Sequence, residues 1–206
     1  MPLEITHEDF MTPQQTLALK EHCRRKAQDP VPDERKHPVR DWAILHLALD
    51  AGLRVSEICS LRIRDLILDS DNASLIVRHG KGNKKRGVKI GNALRTHLAE
   101  FLAWKEKSGE STAGRASLFV SARAGGPLTR SAVYRIFKAN AEEIGLPKRF
   151  SIHSCRHTYA SLLYRASDFN IRLVQKQLGH RSIQTTQIYA DVLNEDAVIA
   201  VDRLPQ

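Results

Sequence analysis

The chain has 206 residues, 42% apolar and 27% charged, enough for one domain-sized core and too apolar for wholesale disorder. Lysine and arginine outnumber aspartate and glutamate by 32 to 23, and the resulting charge of +9 favours a polyanionic partner, nucleic acid first among them. No apolar run approaches the ~20 residues of a membrane span. The Met1-Pro2-Leu3-Glu4 start lacks an apolar leader, and Cys23, Cys59 and Cys155 show no paired spacing, which fits a reducing cytoplasm.

Pro13 after Thr12 opens a predicted helix over 13–28, with Leu17, Leu19 and Ala27 as its apolar content. Asp29-Pro30-Val31-Pro32 stops it. A second helix runs over 38–51, carrying a broad stripe of Trp42, Ile44, Leu45, Ala48 and Leu49, and Gly52 ends it. A short helix follows over 55–61. The period then changes. Segments 65–68, 74–78 and 87–90 are short and rich in Ile, Val and Leu, with turn residues between them, and read as a three-stranded antiparallel meander. Helices resume over 92–107, 129–145, 152–166, 171–178, 183–191 and 195–203. The expected fold is a single, mainly α domain with a small three-stranded antiparallel β-sheet, of the α+β class.

Five segments carry chemistry. Arg54 follows Gly52-Leu53 at the start of the short helix, where anions are favoured, and Glu57 lies one turn on as a supporting partner for a nearby cation. A plain surface Arg–Glu pair is the simpler reading of that segment alone. Between Arg78 and Lys89 lie six lysines and arginines and no acid, with Lys81 between two glycines at a hairpin tip. Such a tip reaches along a phosphate backbone, and Lys84, Lys85 and Arg86 are the expected DNA contacts there. His153 and Arg156, three apart, share a helix face. His153 with His157 has the spacing of a metal pair, but no acid follows the first histidine, no third ligand is evident and Arg156 would repel a cation, so no metal is expected. Gln177-Leu178-Gly179-His180 reads as a helix end followed by a turn histidine. Tyr189 comes nine residues after His180, and each of the two, taken singly, is an ordinary structural residue. Arg130, Arg135 and Lys138 on the helix over 129–145 could meet DNA or simply face solvent.

In order, Arg54, Lys81, His153-x-x-Arg156, Leu178-Gly179-His180 and Tyr189 resemble the catalytic domain of the tyrosine recombinases, the phage-integrase family. Residues 51–65 are similar to the family's first box, 153–192 to its C-terminal signature, and the resemblance runs over about 11–204. It implies a site-specific DNA recombinase. Tyr189 would attack the scissile phosphate to form a 3′-phosphotyrosyl link, Arg54 and Arg156 would clamp the non-bridging oxygens, and Lys81 would protonate the leaving 5′-oxygen. His153 would assist proton movement, and His180 would bind the phosphate or position the nucleophile. Neither metal nor ATP nor any other cofactor is implied. The partners would be double-stranded DNA, with Arg130 among its contacts, and further copies of the chain, tetrameric on DNA and monomeric when free. The helix within 194–206, with Ala197, Val198, Ala200, Val201 and Leu204 as its apolar stripe, would be exchanged between protomers. The family's N-terminal core-binding domain is expected to be missing, leaving 1–206 as the catalytic domain alone. Three other readings remain, an inactive DNA-binding regulator on the same fold, a type IB topoisomerase, and a metal-binding hydrolase built on the histidines, which insensitivity to chelators would exclude. The complete set of catalytic residue types opposes the first. The short length and the Leu178-Gly179-His180 turn oppose the second.

Overall fold

The computed structural model describes residues 6–28, 38–69, 72–78, 85–121 and 125–192. Lys81, Lys84 and the segment 194–206, all named above, lie outside the described residues.

The first helix, α1 (Pro13–Gln28), starts on a reciprocal cap. Thr12 Oγ1 accepts from the Gln15 amide at 3.1 Å, and Gln15 Oε1 accepts from the Thr12 amide at 2.9 Å. Its buried residues are Thr16, Leu19 and Cys23, whereas Leu17 is 57% exposed. Leu17, part of the helix's apolar content, lies off the buried stripe, because the i, i+3, i+7 row runs through 16, 19 and 23. Helix α2 (Pro38–Ala51) has ten buried residues out of fourteen and forms the spine of the core. It packs against α1 and, further along the chain, against α4 (Asn92–Lys107) and α6 (Ile152–Ala166). Between α2 and α4 come α3 (Val55–Ser60) and the sheet β1 (Leu66–Ile67), β2 (Ser74–Val77) and β3 (Arg86–Lys89).

The sheet is antiparallel in the order β1-β2-β3, as expected for a meander. The first strand is shorter than expected: the Asp65 carboxylate accepts from the Arg62 amide at 3.0 Å and turns Ile63–Asp65 into one turn of 3-10 helix. Register pairs Leu75 with Val88 and Val77 with Arg86. Side chains alternate across a strand, so Arg86 shares the inward face of β3 with the fully buried Val88.

The remaining helices begin and end close to their expected places. Thr129 caps α5 (Arg130–Glu143), Ser151 caps α6, and Asn170 caps α7 (Ile171–Leu178). The last described element is α8 (Gln184–Val192). Two apolar clusters result. The larger surrounds α2. The smaller holds Phe10, Ala160, Val174, Leu178 and Tyr189, between α6, α7, α8 and the turn before α1. Among the described residues no helix is long and apolar enough to cross a membrane.

Candidate active site

The site lies at the seam between the two clusters. Gly52 ends α2 in the left-handed region (φ +57°) and lets the chain double back, so that Arg54 sits at the N-terminus of α3. A Cβ at Gly52 would come within 2.2 Å of Tyr159 Cδ1, so the turn also needs the absence of a side chain. Glu57, one turn into α3, accepts from the Arg54 amide at 2.9 Å and from Arg54 Nη1 at 3.1 Å. The same carboxylate receives both guanidinium ends of Arg86, Nη1 at 2.7 Å and Nη2 at 3.0 Å. Its pKa is lowered: burial raises it, but the hydrogen bonds and charges of Arg86 and Arg54 together outweigh that.

Arg86 thus differs from expectation. It does not project as a DNA contact, because β-strand alternation turns it inward, where its head closes a two-point ion pair with Glu57. Its stem lies against Gly179, and a Cβ there would sit 2.5 Å from Arg86 Cδ. Lys85, one residue earlier, is exposed. Lys138 is likewise occupied: Nζ donates to the carbonyls of Lys148 and Phe150, both at 2.6 Å, and so ties down the loop leading into α6.

Arg156 is the deepest cation of the site, 6% exposed. It donates to the carbonyl of Gly52 and, through Nη2, to that of Leu178 at 2.8 Å and to His180 Nε2 at 3.1 Å. Burial, then the like charge of Arg54, lowers its pKa to about 10, so it stays charged at neutral pH. Arg54 itself is more open, its side chain 40% exposed.

His180 follows Gly179, which ends α7 in the left-handed region at φ +67°. Because Arg156 can only donate, Nε2 of His180 accepts and its proton resides on Nδ1, which donates to Thr186 Oγ1 at 3.0 Å. Burial and the charge of Arg156 lower its pKa to about 4, and the ring is neutral at pH 7. Tyr189, on α8, is 2% exposed, tilted against Phe10, with its hydroxyl 3.1 Å from His157 Nδ1. Burial pushes its pKa up to about 12, against the opposing pull of Arg156 and Arg54. His153 is exposed on the first turn of α6, where it lines a shallow groove with Val55, Arg130 and Tyr134.

The structure therefore brings together Arg54, Glu57, Arg156, His180 and Tyr189, with His153 and Arg130 at the rim. Two partners are not expected from the sequence. His157 reads there only as half of a metal pair, although it directly follows Arg156. Thr186 stands three before Tyr189, a spacing that places both on one helix face. Arg86, expected as a DNA contact within a run of basic residues, is instead turned towards Glu57 by strand alternation. Among the described residues no three His, Cys, Asp or Glu side chains could hold a metal ion.

The chain is similar to known proteins over most of its length. Tyrosine recombinase XerC of Caldanaerobacter subterraneus subsp. tengcongensis is 35% identical over 170 residues, 81% of this chain and 45% of that protein. Tyrosine recombinase XerD of Bradyrhizobium diazoefficiens is 40% identical over 176 residues, 82% of this chain and 54% of that one. The chain thus spans about half the length of the curated relatives it matches. Among solved structures, XerA recombinase superposes with a TM-score of 0.75 at 27% identity, covering 96% of this chain and 66% of that one. XerH site-specific recombinase, in a pre-cleavage complex with its difH substrate, gives 0.73 at 25% identity, covering 93% and 52%. The phage integrase family matches over residues 9–196, nearly the whole described structure and every site residue above, and the chain belongs to that family.

Proposed function

We propose that this chain is the catalytic part of a site-specific DNA recombinase that cuts and rejoins strands through a tyrosyl-phosphate link. The observation that carries this reading is the fixed guanidinium of Arg156, held by two carbonyls and His180 one residue away from the histidine that meets the Tyr189 hydroxyl. Phosphoryl transfer needs charge neutralisation at the equatorial oxygens, a nucleophile and an acid for the leaving group. Arg156 and Arg54 supply the first. Arg156 is preorganised by its carbonyl acceptors, and Arg54 is half-open to receive the phosphate. Tyr189 is the nucleophile, and since it is buried at rest, α8 must shift to admit the phosphate while the hydroxyl keeps its contact with His157. Lys81 is the acid for the 5′-oxygen. His180 holds Arg156 in place and, being neutral, donates or accepts at the phosphate as it is displaced. Glu57 is a positioning residue for Arg54. Lys84, Lys85 and Arg130 contact the DNA backbone, and the segment 194–206 docks on a neighbouring copy when protomers assemble on DNA. The relatives named as tyrosine recombinases, and XerH solved with its difH substrate, support the same assignment.

A pool of nicked duplexes with randomised arms tests it. The nick lets the cleaved strand diffuse away, so an active chain is trapped as a detergent-resistant protein–DNA complex. The wild-type chain is expected to capture a subset of the pool. Tyr189→Phe should capture none while retaining duplex binding in a mobility-shift assay. Binding without capture by the wild type would indicate an inactive DNA-binding regulator instead.

A further inference from the structure

The proposed chemistry leaves one proton without a destination, that of the Tyr189 hydroxyl. Its one hydrogen-bond partner among the described residues is His157 Nδ1, at 3.1 Å. The hydroxyl is enclosed by Phe10 and the α6–α7–α8 cluster, where an unmet donor would be costly. The hydroxyl therefore donates, Nδ1 accepts, and the ring proton of His157 resides on Nε2. We propose that His157 is a catalytic residue, the proton acceptor for the nucleophile.

In the step, the Tyr189 oxygen–phosphorus bond forms and the phosphorus–O5′ bond breaks. The phenol proton passes to His157 Nδ1, giving an imidazolium, and O5′ takes a proton from a separate acid, Lys81 in the reading above. Rejoining reverses each transfer and returns the proton to Tyr189. The acceptor is needed because the buried phenol, at about 12, is ionised in only about one molecule in 10⁵ at pH 7. The groups facing His157 are Arg156 and His153 on its own helix, Asp9 in the turn before α1, Tyr189 on α8 and His180 in the turn after α7. Burial, Arg156 and His153 lower its pKa while Asp9 raises it, so it is neutral at pH 7 and free to accept. A bound phosphodiester, sharing Arg156 and Arg54, adds negative charge beside it and favours the imidazolium as the reaction proceeds.

This inference rests on the recombinase reading. The test measures single-turnover capture of the nicked duplex recovered from the pool, between pH 5 and 9. For the wild type, the rate rises with pH as His157 loses its proton and is level once it is neutral. His157→Asn keeps an amide oxygen near the place of Nδ1 but cannot take a proton. It is expected to capture ~10²–10⁴-fold more slowly at pH 7, with a rate that climbs about tenfold per pH unit towards pH 9. If H157N unfolds at the assay temperature, His157→Gln serves in the same comparison. A variant matching the wild type at every pH, or slowed equally at every pH, overturns the assignment of His157. So does a wild-type rate that climbs without a plateau. A wild-type chain that captures no duplex instead contradicts the recombinase reading, and this one with it.

Discussion

Glu57 takes the Arg54 amide, the Arg54 side chain and both arms of Arg86 on one carboxylate that is only 3% exposed. A buried ion pair contributes little over an apolar substitute, but removing one partner leaves an uncompensated charge. Arg86→Ala is therefore expected to cost about 3–5 kcal/mol in urea denaturation, discounted to the extent that Arg54 still answers Glu57. Lys85→Ala should change stability by no more than about 0.5 kcal/mol and lower the salt slope of DNA binding by about one unit. Similar effects from the two substitutions would contradict the inward placement of Arg86. Gly179 meets the same side chain from the other side. Gly179→Ala combines a left-handed backbone with a Cβ only 2.5 Å from Arg86, and should lose more than about 1 kcal/mol and slow capture by displacing His180. Equal stability and capture would show that the turn tolerates a side chain.

At the level of elements, the helix boundaries were legible because their signals are local. Thr12-Pro13, Thr129, Ser151, Asn170 and Gly179 act as caps and stops where their chemistry says they should. The shortened β1 was not legible, since a side-chain bond from Asp65 competes with the strand. Nor were contacts that join distant segments, such as His46 Nδ1 against His97 Nδ1 at 2.8 Å. That pair stacks under Trp42 and continues through His46 to Asp50 and Lys20, tying α4, α2 and α1 together. Burial, then His46, lowers the His97 pKa to about 4. An unfolded histidine binds its proton near pH 6.5, so between 6.5 and 4 the unfolded chain holds more protons than the folded one. Stability from His97 and His180 is thus full above pH 6.5 and lost as pH falls towards 4. Thermal melts from pH 7.5 to 4 should show a falling midpoint, less steep in His97→Gln. A midpoint that is level over that range would mean these imidazoles take protons without cost.

Across the whole molecule, the two apolar clusters meet where Gly52 and Gly179 bring α2, α6 and α7 close, and residues more than a hundred apart in sequence share one site. Order and residue type along the chain announced that site. The sequence could not announce that Tyr189 rests buried on His157, since this depends on how α8 docks on α6. The net charge of +9 favours a polyanionic partner, whereas the proposed chemistry falls to a few side chains held rigidly. The most direct test of that division is peptide mapping by mass spectrometry of the trapped complex after nuclease digestion. The account predicts a nucleotide linked through its 3′-phosphate to the peptide bearing Tyr189, and no adduct with Tyr189→Phe. An adduct on any other residue, or one that survives that substitution, would contradict it.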